Sequence, residues 1–295
     1  QYTTSIVANG NVVTVTNTHI PEITLRNISV VWDDNDDQDG IRPDTVNIKL
    51  KGNDKLVDSS ELNEDVKWKH SFTKLPVREN GNEITYTAEE NEITGYTTTI
   101  EKTDTGYVFT NTHIPETVTV TVDKVWEDGD DQDGLRPDTI HIKLVSNGSV
   151  KDAYLDANSN WHLEFEGLPK YRDHGILNEY SVQEVDVDGY TSTVTTEDGY
   201  AFTIKNDHVP AVIDIPITEE WIDDNNRDGL RPDSHTVILT DGTDTIEEIV
   251  LDKDNGYGII LKDMPKYKDG VEIDYQIKDF EVDGYTTDIV KSDEA

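Results

Sequence analysis

The sequence predicts an all-β chain built from tandem β-sandwich repeats. Three observations carry that prediction. The chain repeats itself with a period near 95 residues. Each period contains short stretches in which apolar and polar residues alternate. Val, Ile, Thr and Tyr are abundant, and Ala, Leu, Glu and Lys form no long runs at helical spacing, which favours strands.

The period rests on independent landmarks. Trp32, Trp126 and Trp221 each precede an acidic loop and then Arg-Pro-Asp, at spacings of 94 and 95 residues. Thr18-His19-Ile20-Pro21 returns as Thr112-His113-Ile114-Pro115 and as Asp207-His208-Val209-Pro210. Gly-Tyr-Thr recurs at Gly95, Gly189 and Gly284, and Tyr2-Thr3-Thr4 matches it without the glycine.

In the second period the strands follow in order. Val118, Val120, Val122, Lys124 and Trp126 fall on one face, then Ile140, Ile142 and Leu144. Trp161, Leu163 and Phe165 form the next inward set and end in a Gly167-Leu168-Pro169 turn. Tyr180, Val182 and Glu184 follow, then Phe202, Ile204 and Asn206. Such alternation between turns indicates sheets buried on one face. Pro21, Pro115 and Pro210 follow the last strand of a unit, where a residue unable to extend a ladder marks a linker. The expected organisation is 1–19 as the final strands of a preceding repeat, full repeats at 20–113 and 114–208, and 209–295 as a repeat without its last strand.

Hydrophobic content is 34%, which suits several small cores better than one large one. The formal net charge of −37 opposes binding to nucleic acid or anionic lipid. With no cysteine there is no disulfide to staple small domains, and no apolar stretch is long enough to span a bilayer. No signal peptide opens the chain, so it reads as a mature or excised part of a longer precursor.

One polar set shares the inward face. Lys124, Glu184 and Asn206 lie near the ends of the first, penultimate and last strands of the second unit. A buried lysine is costly unless paired, and two readings follow. In one, Lys124 and Glu184 form a buried ion pair with a hydrogen bond from Asn206. In the other, burial drives Lys124 toward the neutral amine and Glu184 toward the acid. The amine then attacks the Asn206 side-chain amide, while Glu184 polarises the carbonyl and shuttles protons, and ammonia leaves. The product is a covalent staple that needs no cysteine and no cofactor.

Val122-Asp123-Lys124-Val125-Trp126, the loop to Arg136-Pro137-Asp138, Gly167-Leu168-Pro169-Lys170-Tyr171, Tyr180-Ser181-Val182-Gln183-Glu184 and Phe202-Thr203-Ile204-Lys205-Asn206 together resemble the Cna B-type repeat. That family is named after the B region of collagen adhesins on Gram-positive surfaces. The resemblance covers essentially the whole chain. It implies a small Ig-like, transthyretin-like sandwich and a role in adhesin stalks or pilins. It also implies a Lys–Asn isopeptide bond, with Lys124 as amine, Asn206 as amide and Glu184 as catalytic acid. The other units depart from this pattern. Glu90 and Asn111 stand in the first unit, but Val30 replaces the lysine. In the third, Glu219 replaces the lysine and Asp279 the glutamate, so that two inward acids would share a proton. One covalent bond is expected in the chain.

The acidic loops admit two readings. Asn35, Asp37 and Asp39, then Asp131 and Asp133, then Asp224, Asn226 and Asp228 place oxygens at alternating positions before a glycine, as part of a calcium loop does. Yet Val46 stands where an EF-hand needs Glu, and Gly129 takes the first ligand position in the second unit. The alternative is a solvated loop braced by Arg42, Arg136 and Arg231.

Function follows from the repeat. A spacer on the cell surface or anchored to the cell wall is the leading reading, its partners being neighbouring repeats or subunits of the same protein. A second reading is a fibre subunit whose first strands, with Val13, Val15 and Asn17 inward, complete the third domain of a neighbour. A third is an adhesin binding a host matrix or cell-surface ligand. No nucleophile–histidine–acid set recurs. His19, His113 and His208 read as packing residues at strand ends, and an enzyme with a diffusible substrate is not expected.

Overall fold

The computed structural model describes residues 2–292, and for Asp279 the backbone alone. In the first repeat, Val46–Gly52 alternates buried and half-buried residues along its whole length, the signature of a central strand. It lies between Lys55–Leu62 and Tyr86–Glu90 in a three-stranded sheet. The facing sheet runs Thr97–Lys102, Gly106–Thr112, Ile23–Asp33, Lys69–Pro76. Within it the last strand pairs parallel with the first, Phe109 opposite Val30. Ile28, Ile48, Leu50, Leu62, Phe72 and Phe109 fill the space between the sheets, each at most 2% exposed.

The second repeat has the same plan. One sheet runs His162–Pro169, Thr117–Glu127, Ala201–Asp207, Thr191–Thr196, and the other Ser149–Asp156, Thr139–Ser146, Ser181–Glu184. Its inward residues are those expected from alternation, with one difference. Trp161 precedes its strand with φ of 56°, and its ring reaches Trp126 edge-on at 5.2 Å from this turn. One 3-10 turn, Ala157–Ser159, interrupts the strands, and no helix among the described residues is long and apolar enough to cross a membrane.

In the third repeat, Val212–Thr218 pairs, among the described residues, with Gly258–Pro265 alone. Its counterparts run 11 residues and it runs 7. Asn27 and Thr121 donate their backbone N–H to Thr105 and Tyr200, across to the last strand. Pro216 holds the equivalent position and has no N–H to donate, as suits an edge strand. The hairpin Tyr2–Asn9 with Val12–His19 reproduces the terminal hairpins of the repeats. Thr4 donates to Asn17 Oδ1 at 2.7 Å as Thr98 does to Asn111 Oδ1 at 2.6 Å. Val13 and Val15 are exposed on it.

By compactness the chain divides into two units, residues 1–119 with 166–178, and 120–165 with 179–295. Within the first, the hairpin of Tyr171–Arg172 and Ile176–Leu177 lies on the acidic loop, and Gly175 donates its N–H to the Gln38 carbonyl at 3.1 Å. A Cβ on Gly40, whose φ is +68°, would stand 2.5 Å from the His174 carbonyl oxygen. Within the second unit, Gly270 donates to the Gln132 carbonyl in the same manner, also at 3.1 Å.

Phe109 is fully buried on the strand that closes the first repeat. Phe109→Ala is expected to cost about 3–5 kcal/mol of unfolding free energy. Urea denaturation checks this, and a cost near that of a surface site would contradict the assigned core.

Candidate functional site

The three inward polar residues of the second repeat meet at one place. Parallel pairing sets Lys124 opposite Ile204 and Trp126 opposite Asn206, so Lys124 and Asn206 are diagonal neighbours on the same buried face. Glu184 arrives from the other sheet, where it pairs with Ile142. The Lys124 and Glu184 side chains are 0% and 1% exposed, and Asn206 is fully buried.

Glu184 Oε1 is the shared contact. It lies 3.3 Å from Lys124 Nζ and accepts a hydrogen bond from Asn206 Nδ2, also at 3.3 Å. The lysine contact is close enough for Coulombic attraction, but Nζ makes no aligned hydrogen bond. Glu184 Oε2 and Asn206 Oδ1 are buried without a partner as well. Glu184 therefore touches the amide nitrogen rather than the carbonyl oxygen that the sequence reading had it polarise. Nζ also stands 4.2 Å from the Trp126 ring centroid, a cation–π distance. Burial lowers the pKa of the Lys124 ammonium to about 8, against the opposing pull of Glu184 and then Asp128 and Asp207. Such an amine carries a neutral, nucleophilic fraction near neutral pH.

The other repeats hold different solutions. In the first, Val30 is buried in the core, and the Thr98 hydroxyl stands between the oxygens left without a lysine. Its hydroxyl is 3.1 Å from Glu90 Oε2 and 2.6 Å from Asn111 Oδ1, and Asn111 Nδ2 donates to Glu90 Oε1 at 3.1 Å. Burial raises the Glu90 pKa, with the bonds from Asn111 and Thr98 opposing it. In the third, the Asp279 side chain lies outside the described residues. Glu219 instead meets His235, whose Nδ1 is 2.6 Å from Glu219 Oε1 and whose Nε2 is 3.1 Å from the Phe280 carbonyl. His235 comes from Ser234–Thr240, in the facing sheet, and was not singled out from sequence.

The acidic loops are built from left-handed backbone. Asn35, Asp36 and Asp37 have φ of 51°, 59° and 59°, and Asp224, Asn225 and Asn226 of 49°, 62° and 59°. Asn, Asp and Gly tolerate this region best, which accounts for the loop composition. The carboxylates do not converge. Asp37 Oδ1 and Asp131 Oδ1 accept the backbone N–H of Arg42 and Arg136, and Asn226 Oδ1 that of Arg231. Asp39 and Asp133 bind His113 and His208 at 2.9 Å. Asn35 donates to Gln38, while Asp224 and Asp228 face Arg227. Among the described residues no three acidic or histidine side chains are grouped to hold a metal ion. The arginines do brace the loop, through a carboxylate outside the alternating set. Arg42 forks onto Asp34 at 2.6 and 3.0 Å, Arg136 onto Asp128, and Arg231 onto Asp223. Tyr96, Tyr190 and Tyr285 donate to the same three carboxylates. The recurrence of an Asp two residues after each tryptophan was the available signal.

The model of the Cna protein B-type domain matches residues 27–112, 120–207 and 215–295. A collagen adhesin of Staphylococcus aureus is 35% identical over 99% of this chain, which spans only 24% of that protein. The crystal structure of two B repeat units of the S. aureus collagen-binding protein matches at 33% identity and a TM-score of 0.54, covering 91% of this chain and 72% of the other. A single B repeat unit of that protein is 34% identical over 64% of this chain and all of its own length, with a TM-score of 0.31.

Burial would raise the Asp34 pKa, but the Arg42 fork, the Asp37 amide and the Tyr96 hydroxyl together hold it below the ordinary carboxylate value. Its stabilisation is thus present above that value and is lost as pH falls through the folded one. Asp34→Ala leaves a largely buried guanidinium unpaired and is expected to cost about 3–5 kcal/mol. Chemical denaturation at neutral pH checks this, and the gap from the parent chain should narrow in acid.

Proposed function

The chain belongs to the Cna protein B-type domain family. From that premise we propose that it is a spacer in the stalk of a bacterial surface adhesin, its middle repeat closed by a self-formed isopeptide bond between Lys124 and Asn206. The observation that carries this reading is the buried cluster in which Nζ of Lys124, Oδ1 of Asn206 and Oε2 of Glu184 all lack partners. Three orphaned polar atoms in one apolar site are costly as a permanent arrangement. Bond formation removes the lysine charge from that site.

The reaction is an amide exchange. Neutral Nζ attacks Cγ of Asn206, the Nζ–Cγ bond forms and the Cγ–Nδ2 bond breaks. Glu184 Oε1, 3.3 Å from both nitrogens, is placed to take the proton from Nζ and deliver it to Nδ2, which departs as ammonia. Each molecule turns over once, so no diffusible substrate is involved.

The bond would serve a stalk in two ways. It joins the first strand of the repeat to the last, so tension entering near Thr117 and leaving near Asp207 bypasses the hydrogen bonds between. It also closes a loop of about 80 residues, worth roughly 4 kcal/mol by analogy with a disulfide. In this reading the protein is extracellular, and its partners are neighbouring repeats of the same protein.

Intact mass spectrometry should find the chain lighter than its sequence by one ammonia. Lys124→Ala, Glu184→Ala and Asn206→Ala should each restore the full mass, and a parent chain at full mass would overturn the reading. The first repeat keeps the acid and the amide, hydrogen-bonded at 3.1 Å. Val30→Lys is therefore expected to produce a second loss of ammonia, localised by tandem mass spectrometry to peptides in which the introduced side chain is cross-linked to Asn111.

A further inference from the structure

One histidine ties down the segment that leaves each of the first two repeats. His113 Nδ1 stands 2.8 Å from the Gly95 carbonyl oxygen, and its Nε2 stands 2.9 Å from Asp39 Oδ2. His208 repeats this with the Gly189 carbonyl at 2.8 Å and Asp133 Oδ2 at 2.9 Å. The same carboxylate oxygens accept the backbone N–H of Glu116 at 2.8 Å and of Ala211 at 2.9 Å. Each aspartate thus holds both the histidine and the backbone that continues the chain.

A neutral imidazole has one N–H and one lone pair. Here both ring nitrogens face acceptors, so a neutral ring would set a lone pair against an oxygen at hydrogen-bonding distance. An imidazolium, with two N–H groups, satisfies both. The surroundings favour the cation. The His113 and Asp39 side chains are 14% and 3% exposed, and those of His208 and Asp133 are 16% and 8% exposed. Asp34 and Asp128 add negative charge from the loop, each already forked by Arg42 or Arg136. The rings of Tyr96 and Tyr190 lie 5.5 Å away by centroid. Gln132, beside Asp133, is uncharged and donates to the Ala211 carbonyl at 3.1 Å.

We propose that His113 and His208 are held as imidazolium ions and act as pH-released clasps, binding the segments 113–116 and 208–211 to the acidic loop of the repeat each one leaves. The clasp is independent of whether the Lys124 bond forms. For His113, burial opposes the charge, but the Asp39 and Gly95 bonds and the charges of Asp39 and Asp34 outweigh it and raise the pKa. For His208 the Asp133 bond leads, against burial, and the pKa is again raised. A raised folded value means the stabilisation is complete below the unfolded histidine value and is lost as pH rises through the folded one. The clasps are therefore closed below the ordinary histidine value and open as pH rises through the raised one.

Nitrogen NMR of the whole chain, titrated from mild acid to alkaline pH, tests this. Both ring nitrogens of His113 and His208 should be protonated near neutral pH, with midpoints above that of an unperturbed histidine. The amide resonances of Glu116 and Ala211 should move with the same midpoints. Asp39→Asn and Asp133→Asn, which keep an acceptor but remove the charge, should lower the midpoint of their own histidine only. A neutral tautomer near neutral pH, including one with the proton on the aspartate, would overturn the proposal. So would an unchanged midpoint in the asparagine variants, or amides indifferent to the titration. The measurement on the parent chain stands if a variant fails to fold.

Discussion

Parallel pairing of the first strand with the last, in each of the first two repeats, is the contact on which the other features depend. It joins residues some eighty positions apart, Val30 beside Phe109 and Lys124 beside Ile204. Loop closure of that length is entropically costly, and parallel strands gain nothing from a tight turn. The pairing must therefore be secured by what lies on its two ends. On the inner face it brings Asn206 next to Lys124, and at its far end it carries His113 and His208 to the acidic loops. The third repeat shows the pairing by contrast, since its first strand stops four residues earlier and ends before Glu219.

One position on that first strand is filled in three ways. Val30 gives an apolar contact and lets Thr98, Glu90 and Asn111 satisfy one another. Lys124 adds a charge that its neighbours satisfy incompletely, leaving Nζ without a hydrogen bond and its pKa lowered to about 8. Glu219 reverses the sign, and a histidine from the facing sheet meets it. The polar atoms are not interchangeable decorations of a common core. A buried charge must be neutralised, paired or consumed, and the three repeats set different groups at this position.

The excess of acid has an internal use as well. Many loop carboxylates accept hydrogen bonds from the chain itself: an arginine fork and a tyrosine hydroxyl at Asp34, Asp128 and Asp223, the arginine amide at Asp37 and Asp131, the histidine and the next segment at Asp39 and Asp133. In a chain without cysteine, these charge-assisted bonds take the place of covalent clips around backbone held at positive φ.

The period, the strands and the inward direction of Lys124, Glu184 and Asn206 were determined by the sequence itself, because side chains alternate at every residue of a strand and the pattern is local. The landmark tryptophans located the acidic loops for the same reason. The tertiary structure alone decided which atoms meet. That Glu184 lies on the amide nitrogen of Asn206 depends on how two sheets face one another. The loop oxygens, regularly spaced along the chain, are turned toward separate partners by consecutive left-handed residues, which alternation cannot reveal. Asp39 and His113 are 74 residues apart, and neither carries a mark of the other in the sequence. Their bond exists because the parallel closing strand returns the chain to the loop where it began, and distance along a folded path is not written in local pattern.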